Sequence, residues 1–323
     1  MSRILQGLTG RYAPPAPARE LTARSGDGGC ASPSRCTAGP ATPRSSSPTA
    51  GPVSTLFWAP VIRDLTASGH RVVVYDQRGH GRSPAPATPM ACSTAMLADD
   101  LCAVLEAALE PGGARRHRRP LDGRHDDHGS GGPAAAARAR RRAAAVQHRS
   151  AASDGAGPGA AVPLGAGARG SHAHRALLGS SAPLGPVTPL TRKALAYGTL
   201  GPRPERDAVE ATARIVHACP TRVRSAWGGV LAGLDLSAKV PHLDAPTAVV
   251  AGTHDRLTPL PHAHRMAALL PDCTGVHQLE GRGHMTPLEE PGTVAEVLAG
   301  LARDHLATAG RAAKPSKKKE KSA

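Results

Sequence analysis

The stretch GHRVVVYDQRGHGRS, residues 69–83, decides the fold class of this chain. Between Val72 and Tyr75 no polar residue interrupts the run, and such a β-branched run is typical of a strand buried on both faces. The glycines at 79 and 81 then predict a tight turn immediately after the strand. A buried strand that runs into a glycine-rich turn indicates a parallel sheet.

Predicted helices flank this strand on both sides. Upstream, STLFWAPVIRDLTASGH (54–70) spaces its apolar residues along one helix face, and Gly69 ends the helix. Downstream, STAMLADDLCAVLEAALE (93–110) places a second apolar face at helical spacing. The order helix, buried strand, turn, helix predicts an α/β fold with a mostly parallel sheet and flanking helices.

A second ordered region is predicted from about residue 184 to residue 306. Its first part, 189–232, has the pattern of three helices. DAPTAVVAGTHD (244–255) is typical of a strand with an aspartate after its carboxyl end. The remainder predicts a helix at 261–270, a short strand at 276–279, a loop at 281–291 that carries His284, and a closing helix at 294–306.

The composition is unusual for a protein of 323 residues. The chain has six aromatic residues, 36 Gly and 31 Pro, and a net charge of +15. Much of the charge is concentrated in residues 113–175, which hold twelve Arg and four Asp, and in the tail after residue 313, which holds five Lys and one Glu. Since these segments and residues 28–53 lack apolar periodicity, we expect 28–53 and about 113–180 to be disordered or non-native.

The same composition limits the location of the protein and its binding partners. No run of 18 apolar residues and no apolar leader occurs, so we expect no transmembrane helix and no secretion signal. The six cysteines are scattered without close pairs, which favours a reducing, cytoplasmic location. A basic arm at 113–175 leaves nucleic-acid binding open as an alternative function. The absence of interleaved aromatic residues there argues against specific nucleic-acid recognition.

Three motifs together resemble the α/β-hydrolase superfamily. They are GHRVVVYDQRGHGRS (69–83), VVAGTHDRLTP (249–259) and LEGRGHMTPLEEP (279–291), in the order that the superfamily shows. The resemblance implies one hydrolase domain over residues 1–312, a helical cap at about 185–240 and a basic tail at 313–323. It also implies hydrolysis of a small ester or lactone without a cofactor or metal, with Asp255 orienting the imidazole and His284 acting as the general base.

Two motifs that this family requires are missing from the sequence. A His-Gly loop is expected within 28–53, and a G-x-S-x-G nucleophile elbow is expected near Leu121 and Asp122, but neither occurs. Back-translation of 115–129 with free third positions, read one base later, gives Ala-Val-Ile-Ala-Gly-His-Ser-Met-Gly, a strand followed by an elbow. A shifted reading of 40–53 likewise yields a His-Gly loop. We therefore hypothesise two frame-shifted segments in this chain.

The missing elbow affects the predicted activity and leaves several alternatives open. Without a nucleophile the chain is predicted to be an inactive or misfolded member of a hydrolytic family. A haloperoxidase-like activity would use the same triad, and an aspartate-nucleophile dehalogenase or epoxide hydrolase would use the same fold. A noncatalytic hydrolase-like binding protein remains the other alternative. The sequence predicts no oligomeric state.

Overall fold

The computed structural model describes residues 7–25, 31–37, 44–47, 54–88, 92–109, 184–232 and 236–306. Three strands come first along these segments, and each later strand lies between helices, which agrees with the predicted α/β fold. The strands are β1 (Arg19–Arg24), β2 (Ala31–Thr37), β3 (Arg44–Ser47), β4 (Arg71–Tyr75), β5 (Thr247–Gly252) and β6 (Cys273–Leu279). The helices are α1 (Ala59–Ala67), α2 (Thr94–Leu109), α3 (Pro189–Thr199), α4 (Arg206–Ala218), α5 (Thr221–Ala232), α6 (Leu260–Leu269), α7 (Thr286–Glu289) and α8 (Pro291–Leu301).

The described strands form two sheets. The first has the order β1-β2-β4-β3, in which β3 runs parallel to β4 while β1 and β2 join antiparallel. The second consists of β5 and β6, which are parallel to each other. Val72, Val73 and Val74 in β4 are almost completely buried, as the uninterrupted apolar run predicts. In β5 and β6 the parallel pairing brings two carboxyl ends to the same edge.

Residues 28–53 were expected to be disordered or non-native, and strands β2 and β3 correct the first of these alternatives for residues 31–37 and 44–47. Residues 34–37 of β2 pair with one edge of β4, and β3 pairs with the other edge. A ladder is built from backbone N–H and C=O groups, which every residue except proline carries in full, so an apolar pattern is not required for pairing. The other expected abnormal segment, 113–180, lies outside the described residues.

The main core joins helices from both ordered regions. Trp58, Val61 and Leu65 from the first helical segment are buried with β4 and with α8. The ring of Trp58 meets the ring of Phe57 edge-on, with centroids 5.4 Å apart and planes at 80°. Helices α3 and α4 contribute to this same core through Ala196, Leu200, Ala208, Ala211 and Ile215.

This packing shows that α3 and α4 share the core of the sheet and its flanking helices. The three helices predicted at 189–232 are confirmed as α3, α4 and α5. Their assignment as a cap over a pocket, like the domain boundaries at 312 and 313, stays a prediction. Among the described residues, we find no helix that has both the length and the hydropathy of a membrane span.

The turn after β4 is fixed by buried polar groups. Asp76 accepts hydrogen bonds from the backbone N–H of Thr55 at 2.8 Å and of Arg82 at 3.1 Å. Arg78 binds Asp100 of α2 through two hydrogen bonds of 2.8 Å, and both side chains are 1% exposed. Each of these side chains therefore has a partner that holds the turn in place.

Candidate active site

Asp255 and His284 lie together at the carboxyl ends of β5 and β6. Asp255 follows shortly after Gly252, the last residue of β5, and His284 follows Leu279, the last residue of β6. Because these strands are parallel neighbours, the loops that leave them emerge at the same edge of the sheet. The Nδ1 atom of His284 is 2.9 Å from Oδ2 of Asp255, so the two residues that the sequence predicted as an acid–base pair are brought into contact.

The surroundings of Asp255 keep its carboxylate ionised. Burial raises the pKa of this carboxyl, but the hydrogen bond and charge of His284 and the bonds from Thr258 outweigh it and hold the pKa at about 2. The backbone N–H groups of Leu257 and Thr258 each donate to Oδ1 at 2.8 Å, and the Thr258 hydroxyl donates to Oδ2 at 2.7 Å. The carboxylate is thus held in one orientation by four groups.

This arrangement determines which imidazole nitrogen can do chemistry. With Nδ1–H of His284 donating to Asp255, Nε2 is the nitrogen that can accept a proton. The Thr258 hydroxyl lies 3.3 Å from Nδ1 and stands on the same side of the imidazole as the carboxylate. His284 is 9% exposed and Asp255 is 8% exposed, so their hydrogen bond is largely shielded from water. Such a pair can act as a general base supported by a buried anion.

The backbone of the histidine loop, residues 280–285, is anchored to the end of α3. The carbonyl oxygen of Thr199 accepts hydrogen bonds from the N–H groups of His284 at 2.8 Å and Met285 at 3.1 Å. The carboxylate of Glu289 accepts from Gly201 N at 2.7 Å and from Gly283 N at 2.9 Å. Burial raises the pKa of Glu289, and these two backbone hydrogen bonds partly offset the rise.

Glycines make this close approach possible. A Cβ atom on Gly252 would collide with the carbonyl oxygens of Arg282 and Gly283, and a Cβ on Gly201 would collide with the carbonyl oxygen of Gly281. A Cβ on Gly283 would collide with the backbone of Leu200. The end of β5, the end of α3 and the histidine loop therefore meet with their backbones in contact.

Two cavities lie near this junction. One, of about 30 Å³, is bordered by β5, Asp255 and Thr258, and it is large enough for about one water molecule. The other, of about 450 Å³, is lined by Glu289, Glu205 and Arg11, among other side chains, and reaches neither Asp255 nor His284. Neither of these two cavities combines the acid–base pair with enough volume for a substrate.

Some predicted site residues lie outside the described segments, and some residues of the site were not predicted. The predicted nucleophile position near Leu121 and Asp122 lies outside the described residues, as does the basic arm at 113–175. Thr258 and Glu289 were not singled out from the sequence, because a threonine and a glutamate in a polar loop carry no distinctive spacing. Among the described residues, no group of three His, Cys, Asp or Glu is placed to hold a metal ion.

Known proteins resemble this chain over most of its length. The family described as "Serine aminopeptidase, S33" matches residues 54–291. The "Putative carbamate hydrolase RutD" of Variovorax paradoxus (strain S110) is 30% identical over 237 residues, which are 73% of this chain and 83% of that protein.

Solved structures share the fold at low sequence identity. A thermophilic esterase from Thermogutta terrifontis has a TM-score of 0.59 at 17% identity, covering 88% of this chain and 98% of its own. A bromoperoxidase from Bacillus anthracis has a TM-score of 0.62 at 13% identity, covering 88% and 100%. At these identities the likeness shows the fold alone. Together with the match over residues 54–291, these findings show that the chain belongs to the serine aminopeptidase S33 family of the α/β-hydrolase superfamily.

Proposed function

We propose that this chain carries the acid–base half of a serine-type hydrolase for small esters or carbamates. The single observation that carries the proposal is the buried 2.9 Å hydrogen bond between His284 Nδ1 and Asp255 Oδ2. An ester substrate is what the resemblance to the α/β-hydrolase superfamily implies. The carbamate is added because a relative 30% identical to this chain bears the name of a carbamate hydrolase. Both substrate classes present an acyl carbon to a hydroxyl nucleophile.

The proposed chemistry divides between the two residues. His284 Nε2 takes the proton of the attacking hydroxyl as the hydroxyl oxygen bonds to the acyl carbon, and gives it to the leaving oxygen or nitrogen as the bond between that atom and the acyl carbon breaks. Water then repeats the sequence on the acyl-enzyme. Asp255 remains ionised throughout and stabilises the imidazolium, in keeping with a pKa of about 2. No cofactor takes part in this scheme.

We further propose that the chain as written does not complete this reaction. Its sequence contains no G-x-S-x-G. Ser83, which follows Gly81 at the required spacing, is 7% exposed and donates its hydroxyl to the carbonyl oxygen of Asp76 at 2.6 Å. Ser130 lacks a glycine two residues before it. Loss of the nucleophile alone lowers the turnover of a serine hydrolase by several orders of magnitude.

The test is an esterase assay with p-nitrophenyl acetate and a p-nitrophenyl carbamate. The purified chain is compared with His284→Ala and with a control, His264→Ala, which changes an exposed histidine of α6. We expect all three proteins to release p-nitrophenol at the same low rate. Turnover that His284→Ala abolishes and His264→Ala preserves would contradict the proposed inactivity and reveal a nucleophile elsewhere in the chain.

The coding sequence provides a second test of the missing nucleophile. Reading the three frames across codons 28–53 and 113–185 shows directly whether Gly-His-Ser-Met-Gly is encoded in a shifted frame. If it is, a gene repaired in those segments should yield ester turnover that depends on His284. A coding sequence without that motif in any frame would refute the frame-shift hypothesis, and the acid–base assignment would then depend on the buried pair alone.

A further inference from the structure

Two backbone segments that are distant in the sequence, the end of α3 and the histidine loop, meet beside His284. The end of α3 supplies the carbonyl oxygen of Thr199, which binds the N–H groups of His284 and Met285. Two residues later, the N–H group of Gly201 donates a hydrogen bond to Glu289. The end of α3 therefore sets the position of the His284 backbone. A group that joins α3 to the loop must accept a hydrogen bond from an N–H group of each segment.

Glu289 is that group. Its Oε1 accepts from Gly201 N at 2.7 Å and its Oε2 accepts from Gly283 N at 2.9 Å, so one carboxylate joins the two segments. The residue is 6% exposed, which makes water a poor substitute for either bond. Charge-assisted bonds from backbone N–H groups to a carboxylate are stronger than neutral ones, and a buried N–H that loses its acceptor keeps its full desolvation cost.

We propose that Glu289 is a positioning residue for the general base: it fixes the backbone of His284 against the end of α3. The inference rests on the function proposed above, in which His284 is that base. A glutamine in place of Glu289 has one acceptor oxygen and one NH₂ donor, so it can satisfy Gly201 or Gly283 but presents a donor to the other. The change removes one hydrogen bond while keeping the volume of the side chain.

The next residue offers a matched control. Glu290 is partly exposed and forms an ion pair of 3.0 Å with Arg282 at the surface of the same loop. An exposed pair of this kind contributes little to stability. Glu290→Gln therefore removes one negative charge next to Glu289 without touching the Gly201 or Gly283 hydrogen bonds. An effect caused only by the loss of a negative charge in this region should appear in both Glu289→Gln and Glu290→Gln.

The experiment measures amide hydrogen exchange by NMR in the full chain. We expect Glu289→Gln to speed the exchange of the His284 and Met285 amides by about tenfold or more, since the end of α3 that carries their acceptor, Thr199, is then joined to the loop by one Glu289 hydrogen bond fewer. Exchange in β4, at Val72 and Val74, should stay unchanged. Glu290→Gln should leave all of these rates within about twofold of the wild-type values.

A second readout follows the hydrogen bond of the imidazole itself. The Nδ1–H proton of His284, which donates to Asp255, should shift or broaden in Glu289→Gln and stay in place in Glu290→Gln. Equal rates at His284 in the two variants would overturn the proposal. A uniform rise that includes β4 would overturn it as well, since that would show a role in global stability alone. Hydrogen exchange is measured without turnover. The outcome for the positioning role of Glu289 is therefore independent of the outcome of the esterase assay.

Discussion

His80 makes the stability of this protein depend on pH in a definable window. The side chain is 1% exposed, its Nδ1 lies 3.2 Å from the carbonyl oxygen of Arg78, and its Nε2 has no hydrogen-bond partner among the described residues. Burial lowers the pKa of His80 from 6.5 to about 4, while the Arg78 carbonyl and the charge of Asp76 oppose that change. The folded protein therefore keeps this imidazole neutral at a pH where the unfolded chain protonates it.

The sign and size of the effect follow from proton linkage. Between pH 6.5 and pH 4 the unfolded state binds a proton at this site that the folded state does not, so the free energy of unfolding falls as the pH falls. The contribution is fully present above pH 6.5. The difference of about 2.5 pKa units corresponds to about 3.4 kcal/mol in total, of which about 2.5 kcal/mol is lost at pH 4.5.

The assay is urea unfolding at pH 7.5 and pH 4.5 for the wild type, His80→Gln and His264→Gln. The wild type and the exposed-site control should each lose about 2.5 kcal/mol more than His80→Gln over this interval. Titration of other groups, including Glu289 with its raised pKa, is common to all three proteins and cancels in the comparison. An unchanged pH dependence in His80→Gln would refute the reasoning, whatever the stability of that variant at pH 7.5.

Two further changes test the packing of the site and of the turn after β4. Gly252→Ala places a methyl group against backbone carbonyl oxygens of the histidine loop and should cost about 1–3 kcal/mol of unfolding free energy, whereas Gly229→Ala, in open space on α5, should add up to about 1 kcal/mol. Equal effects of the two in urea unfolding would contradict the backbone contact. Arg78→Met leaves the buried Asp100 carboxylate without its ion-pair partner and should cost about 3–5 kcal/mol, most of which the double change with Asp100→Leu should regain. A double variant as unstable as the single one would count against this account.

The sequence predicted those parts of the fold in which one local pattern is sufficient. The run Val72–Val74 has no polar interruption, and it forms a buried strand. Asp255 and His284 were paired because VVAGTHDRLTP and LEGRGHMTPLEEP resemble the acid and histidine loops of the α/β-hydrolase superfamily, and the parallel strands β5 and β6 bring the two loops to one edge. The hydrogen bond between them agrees with that expectation.

What the sequence did not predict depends on contacts between distant segments. Strands β2 and β3 lie in a stretch without apolar alternation, and they form because β4 offers two edges of backbone donors and acceptors. The bidentate pair of Arg78 and Asp100 joins a turn to a helix, and no spacing rule links an arginine to an aspartate across such a distance. Glu289 was missed for the same reason, since its partners are backbone N–H groups, which leave no trace in residue types.

The groups seen to fix the acid–base pair come from residues 199–289. Thr258 and the loop amides hold Asp255, Thr199 and Glu289 hold the backbone of the histidine loop, and Gly252 lets that loop reach the end of β5. The elbow that we propose is missing would lie near Leu121 and Asp122, in a different part of the chain. The proposed loss of the nucleophile would therefore leave these contacts of Asp255 and His284 in place. This separation explains how a chain without G-x-S-x-G can keep a buried, hydrogen-bonded acid–base pair.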